Sequence, residues 1–485
     1  MYLYECLPFS QEDFLFLRPG YHLRFCVFMA TSKEMTAGPI FPQLFTFLMP
    51  LLLGNLLQQT YSLIDAAIVG QFLGIHSLAA VGASTSVVFL ILGFCNGCCA
   101  GFGIPVAQKF GARDYVTMRR FVNVGLQLAA ILSLVIASLS GFFCGDILRA
   151  MQTPESIYEG AYAYLFVTFV GIPCTFFYNL LASIIRALGD SKTPFWFLLF
   201  STILNIVLDL FCIVVLKWGV MGAAIATVVS QGVSALLCYF YMRRRFPILQ
   251  AESPADLRFD GRLAKTLLSM GVPMGLQFSI TAIGSIMLQS ANNALGTACV
   301  AAFSAAVRIK MFFICPLESL GIAMATYCGQ NYGAGRVDRI KQGIKVSIGM
   351  MLCYSAVSAS IVALGARPMV LLFVDPSETD VLNYAILYLR VICCFYPVLG
   401  LLCVLRYSIQ GVGFSNFAML SGVAEMFARG AVSLWVVPAF AFLGVSFGDP
   451  MAWLSADLFL VPAFIYVYRT IKKRLAHVVT PLSAA

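Results

Sequence analysis

Twelve apolar runs, each long enough to cross a bilayer, leave this chain few ways to fold. They fall at about residues 41–66, 81–105, 122–145, 160–184, 195–216, 220–241, 267–291, 299–323, 345–366, 384–405, 416–441 and 452–468, separated by Gly, Pro and charge. A spanning helix needs roughly 20 apolar residues, and lipid admits only elements that satisfy their own backbone hydrogen bonds. Charged residues make up 11% of the chain, against about 25% in a soluble domain. The expected class is an all-α polytopic membrane protein with twelve transmembrane helices.

Lys and Arg cluster in alternate connections. The connection after the second run holds Lys109, Arg113, Arg119 and Arg120, and the one after the fourth holds Arg186 and Lys192. Arg243, Arg244, Arg245, Arg258, Arg262 and Lys265 follow the sixth run, and Arg336, Arg339, Lys341 and Lys345 follow the eighth. The intervening connections carry acids such as Asp146, Glu155, Asp375 and Glu378, with Arg149, Lys217 and Arg367 as their few bases. The positive-inside rule therefore places both termini in the cytoplasm. It also explains the net charge of +9 as topology, so no nucleic-acid partner is expected.

The chain repeats itself. A shift of 222 residues pairs Gly74 with Gly296, Gln108 with Gln330, Gly111-Ala112 with Gly333-Ala334, Pro154 with Pro376, Tyr162 with Tyr384 and Gly189 with Gly411, without a gap. Each copy contains six runs, an even number, so both enter the membrane with the same orientation. Two similar six-helix lobes related by an axis along the membrane normal follow. The expected division is an N-terminal lobe over 35–241, a basic cytoplasmic linker over 242–265, a C-terminal lobe over 266–475 and a tail over 476–485. Residues 1–34 read as an extension outside the fold, with Met29 or Met35 as alternative starts.

Polar groups inside the runs are the candidates for chemistry, because each is costly at membrane depth unless it faces protein or water. In the first run Asn55, Gln58, Ser62 and Asp65 share one helical sector, and in the fifth Ser201, Asn205 and Asp209 recur every four residues. A carboxylate in a dry site takes up a proton or holds a cation. Asp65 and Asp209, with Asn205, are therefore the expected cation-coupling group, able to serve H+ or to form a Na+ site. The repeat sets Met287 opposite Asp65, so this group belongs to the first half alone. In the second half Glu425 and Arg429, four apart, read as a structural pair, and Arg308 and Glu318 are grouped with them as structural polar residues.

Other chemistries are excluded by what their motifs require. The segments Gln108–Arg113 and Gly329–Arg336 are glycine-rich but lack the Lys-Ser or Lys-Thr ending of a phosphate loop, and they read as helix caps and turns. The three His are isolated, and most of the sixteen Cys lie inside apolar runs. Neither a metal cofactor, a disulfide framework nor a catalytic triad is expected, and the chain reads as a non-enzyme.

Together, Ile64-Asp65 with Val69-Gly70 and Leu73-Gly74, Arg186-Ala187-Leu188-Gly189-Asp190, Leu204–Asp209 and Gly329–Arg336 carry a resemblance. Over about residues 35–475 the chain resembles the multidrug and toxic compound extrusion family, most closely its bacterial DinF-like branch. The resemblance implies a multi-pass protein of the bacterial plasma (inner) membrane, monomeric, with a central cleft between its lobes. It implies export of small organic, often cationic, compounds in exchange for Na+ or H+. Asp65, Asn205 and Asp209 match the family's coupling positions, while Gln58, Asn179 and Thr227 match polar positions of the first-lobe cavity, where Asn55 and Ser62 also fall. Leu210 stands where the family often has Pro. A lipid-linked oligosaccharide flippase of related fold, or a non-transporting membrane scaffold, are the alternatives. The acidic, amide-rich first-lobe stripe suits organic cations better than a flippase's basic cavity.

Overall fold

The computed structural model describes residues 34–479, so the readings made for 1–33 and 480–485 lie outside the described residues. The first half comprises α1 (Ile40–Leu73), α2 (Ile75–Gly111), α3 (Tyr115–Phe142), the short α4 (Cys144–Ala150), α5 (Glu155–Val170), α6 (Ile172–Ala187), α7 (Lys192–Leu210) and α8 (Gly219–Arg245). The second comprises α9 (Gly261–Asn293), α10 (Thr297–Gly333), α11 (Val337–Val370), α12 (Thr379–Cys394), α13 (Tyr396–Gly411), α14 (Ser415–Ala431), α15 (Val437–Ser446) and α16 (Gly448–Val479). Among the described residues ten helices are long and apolar enough to span a membrane, and two bent pairs bring the total to twelve.

The irregularities repeat along with the sequence. The fourth span of each half is bent, α5 against α6 by 47° and α12 against α13 by 50°. In both cases a proline, Pro173 or Pro397, opens the second piece, where its missing N–H costs no helical hydrogen bond. The fifth span of each half passes through a π-helical turn, at Phe211–Val215 and at Val432–Val436. The first of these begins directly after Leu210. The helix thus leaves regular geometry at this point without a proline.

Two separate apolar cores correspond to two lobes. One helix joins the two halves. The start of α1, through Leu44, Phe47, Leu48 and Leu51, packs into the core built by the second half. Its far end, through Ile68 and Val69, packs with Ile213 and Ala223 of the first. Pro50, inside α1, lies within the first of these attachments, between Leu48 and Leu51, where a missing backbone donor favours a kink.

The lobes touch along α2 and α9. Gly97 and Gly101 on α2 face Gly271 and Gly275 on α9, so that a β-carbon on Gly97 would strike Met274 and Gly275, and one on Gly101 would strike Gly271. Paired small-xxx-small ridges allow two backbones this approach, which dispersion and close packing then stabilise. At the basic end of the molecule the two glycine-rich repeat segments meet. A β-carbon on Gly111 would overlap the Gln330 carbonyl oxygen, and one on Gly333 would overlap that of Gln108. Each glutamine donates across the interface: Gln108 Nε2 to Gly411 O and Gln330 Nε2 to Ala187 O, both at 2.9 Å. The carbonyls they satisfy are among the last of α13 and α6, which no intrahelical N–H can reach.

The chain entering α1 straps this seam. Met35 is buried; its N–H donates to Gln330 Oε1 at 2.8 Å, and its carbonyl accepts from Asn331 Nδ2 at 3.1 Å. Arg336 donates to Thr36 O at 2.8 Å, and Glu34 pairs with Arg113 at 3.3 Å. On the same face the connection between the halves is pinned to α3. Arg119 pairs with Glu252 at 2.7 Å, and Asp256 lies 3.2 Å from Arg120 and 3.6 Å from Arg119. Burial opposes ionisation of Asp256, but hydrogen bonds from Arg120 and from the backbone of Glu252 and Ser253, with the charge of Arg119, hold its carboxyl below the usual carboxylate range.

Two outcomes are expected. Gly111→Val forces the lobes apart at the basic end, so that a cysteine placed at buried Ala107 in a cysteine-free background becomes reactive to maleimide from that side; unchanged labelling would count against the seal. Because the folded carboxyl of Asp256 titrates below its unfolded value, its contribution to stability is complete above about pH 5 and fades as pH falls through the unfolded value near 4. Asp256→Asn should therefore lower the unfolding temperature at pH 7, and the deficit should shrink below pH 4.

Candidate functional site

Asp65 on α1 and Asp209 on α7 face one another inside the first lobe. Asp209 is fully buried and lies within hydrogen-bonding reach of Asp65. The Oδ1 atom of each is buried with no hydrogen-bond partner. The register predicted from helical spacing is responsible: Ser201, Asn205 and Asp209 are all buried on one face of α7. Asn205 orients the pair. With its amide turned as its neighbours require, Nδ2 donates to Asp209 Oδ2 at 2.8 Å and to the Tyr61 hydroxyl at 3.2 Å, while its oxygen accepts from Thr227. Tyr61 and Thr227 hydroxyls are 3.2 Å apart. Tyr164 of α5 lies close to both carboxyls.

Tyr61 and Thr227 also form part of the wall of a cleft of about 1000 Å³, which adjoins a second volume of about 1210 Å³ between the lobes. Asn55, Gln58, Asn96, Asn179 and Arg186 line both. Glu318 and Tyr407 of the second half line the inter-lobe part. Asn55 Nδ2 donates to Ser319 Oγ at 2.8 Å, bridging α1 and α10. The carboxyl pair therefore lies behind the cleft wall, one hydrogen-bonded layer away. Ser62 is exposed and lines neither volume.

Comparison with known proteins agrees with this architecture. The MatE family model matches twice, over residues 50–211 and 273–435. The chain belongs to the MatE family. It is 31% identical over 407 residues to a Bacillus subtilis (strain 168) protein named probable multidrug resistance protein YpnP, covering 84% of this chain and 88% of that one. The same organism's probable multidrug resistance protein YoeA is 28% identical over 92% of this chain and 98% of its own. A MATE crystal structure in complex with MaL6 superposes with a TM-score of 0.84 at 24% identity, covering 91% of this chain and 99% of that one. This MatE protein is thus a multi-pass membrane transporter of the bacterial inner membrane and not an enzyme. No cluster of three or more metal-ligating side chains exists among the described residues, and the fourteen described cysteines are free.

In the second lobe of the MatE protein, Glu425 and Arg429 sit within a larger buried ionic ladder. Arg406 pairs with Glu425, Arg429 lies 3.4 Å from Glu425 and 3.0 Å from Asp449, and Lys310 lies 2.6 Å from Asp449. Tyr388 donates to Asp449 at 3.2 Å. Five helices, α10, α12, α13, α14 and α16, are tied in this way. Arg308 and Glu318, grouped with the pair on sequence, are placed elsewhere. Arg308 is exposed in a separate pocket with Asp375 and Glu378, and Glu318 is exposed in the cleft. Sequence reasoning missed Tyr61, although it continues the stripe of Asp65 on α1. It passed over Arg406 and Asp449 because they fall just outside the apolar runs. Tyr164 carried no signal, since a lone tyrosine in an apolar run is unremarkable.

Removing one member of a buried ion pair leaves its partner unpaired, at a cost of about 3–5 kcal/mol. Glu425→Ala strands Arg406 and half of Arg429, so unfolding in detergent should show a loss of that order. A loss under about 1 kcal/mol, typical of exposed pairs, would show that the ladder does not carry the lobe.

Proposed function

We propose that this protein exports organic compounds bearing a positive charge in exchange for inward H+ or Na+, with Asp65 and Asp209 as the coupling group. The observation that carries the reading is the placement of two unpartnered carboxyl oxygens one hydrogen-bonded layer behind the cleft. Two adjacent carboxylates in a low dielectric cannot both stay charged without a proton or a cation between them. Loading and unloading that charge changes what Asn205 and Tyr61 bond to, and Tyr61 and Thr227 carry the change into the cleft wall. The Asn205 amide can turn either its nitrogen or its oxygen toward Asp209. The group therefore suits a proton, with the nitrogen donating to the carboxylate, or Na+, with the oxygen as a further ligand.

α1 gives the coupling its leverage. It bears Asp65, its other end is anchored in the second lobe's core, and Pro50 stands within that anchored end. A change of charge at Asp65 therefore acts across the lobe boundary, the requirement for alternating access. We take the lobes as about 35–241 and 266–475, working as a monomer of the DinF-like branch.

Asp65→Asn keeps the size of the side chain but removes its titration. Gradient-driven efflux of a cationic dye from energised vesicles should fall to background while membrane insertion is unchanged, and Asp209→Asn should behave alike. Imposing pH and Na+ gradients separately identifies the ion. Wild-type efflux by both variants would remove the carboxyl pair from the mechanism.

A further inference from the structure

The cleft contains one base and one acid that form no ion pair among the described residues. Arg186, on α6, is half-buried in the wall and makes one hydrogen bond, Nη2 to Ser183 Oγ at 2.9 Å. It pairs with no carboxylate among the described residues. The buried arginines Arg119, Arg406 and Arg429 are each paired with a carboxylate, which Arg186 is not. Its nearest acid in sequence, Asp190, is committed elsewhere, accepting from Thr193 Oγ1 at 2.6 Å and from the Lys192 and Thr193 backbone at the start of α7. Glu318, on the α10 wall, likewise has no ion pair or hydrogen bond among the described residues. The bases nearest to it are spent: Lys310 on Asp449 and Arg406 on Glu425.

The two charges stand at different depths. Gln330 bonds Ala187 O, beside Arg186, and Glu318 precedes Gln330 by 12 residues on the same helix, a rise of about 18 Å. Between them the wall presents the amides of Asn55, Gln58, Asn96 and Asn179. A guanidinium in such a site takes a carboxylate or phosphate through two parallel hydrogen bonds, while a lone carboxylate attracts an amine or quaternary nitrogen.

We propose that the cleft recognises amphoteric organic compounds, Glu318 holding the cationic group and Arg186 an anionic group on the same molecule. This inference rests on the export reading above and narrows its substrate class. An elongated molecule spans both charges, and the amides between them contact its polar middle. Arg186 then sets specificity: it separates substrates bearing an anion from those bearing a cation alone.

The test uses the purified full chain in lipid nanodiscs and two probes, a rhodamine dye with a free carboxylate and the methyl ester of that dye. Binding is read by fluorescence anisotropy. Wild type should bind the carboxylate dye more tightly than the ester. A charge-assisted hydrogen bond is worth enough to set a difference of about 10–100-fold. Arg186→Gln should abolish that preference by weakening the carboxylate dye alone, Arg186→Lys should restore part of it, and Glu318→Gln should weaken both dyes. Equal affinity of wild type for the two dyes, binding of neither, or an equal loss of both in a folded Arg186→Gln protein overturns the proposal. The wild-type comparison decides the matter if that variant does not fold. Intact gradient-driven efflux without anion preference defeats this inference alone. A preserved preference in a protein that shows no gradient-driven efflux defeats the export reading alone.

Discussion

An ion inside an apolar medium must be matched by another ion, by hydrogen bonds or by something that arrives from outside. That constraint sorts the charged residues of this protein. The second lobe meets it for most of its buried charges internally, through the ladder from Arg406 to Lys310, in which each acid is shared between two bases. It leaves the buried carboxyl of Asp457 without a partner among the described residues. In the first lobe Asp65 and Asp209 keep buried oxygens without partners among the described residues, and in the cleft Arg186 of this lobe, like Glu318 of the second, forms no ion pair among them. A buried charge matched within the protein ties helices together, and one left unmatched is available to an ion or a substrate.

Duplication supplies the frame for this asymmetry. The two halves share bends, π turns and the glycine-rich exits of their second spans, and the same exits meet face to face at the basic end, each glutamine capping a helix of the other half. This symmetric seam holds the two halves together at the basic end of the molecule. The ion chemistry breaks the symmetry: five helices of the second lobe are tied by salt bridges, while the first lobe keeps the facing carboxyls of Asp65 and Asp209. Helix α1 belongs to both, so a change in one lobe is felt by the other.

The membrane class, the twelve spans, the two lobes and the side of the basic loops were legible in the sequence, because long apolar runs and Lys/Arg placement act over stretches of twenty residues. Helical spacing put Asn205 and Asp209 on one buried face, and the stripe on α1 pointed to Asp65. It also pointed to Ser62, which lies exposed outside the cleft, since a polar sector does not say where the neighbouring helix sits. The glycine-rich repeats read as caps, and they are; that they also pack on each other depends on the lobes meeting there.

The sequence by itself determined which residues had to lie in the membrane and which helix faces could not meet lipid, because both follow from solvation of single segments. Only the tertiary structure decided which charges cancel. Glu425 and Arg429 could be paired from spacing, but Asp449, Lys310 and Arg406 reach them from three other helices, and Glu318, close in sequence to Lys310, faces the cleft instead. Whether a charge is structural or functional depends on what lies within about 4 Å of it, the reach of an ion pair, and that distance is set by packing between helices far apart in the chain.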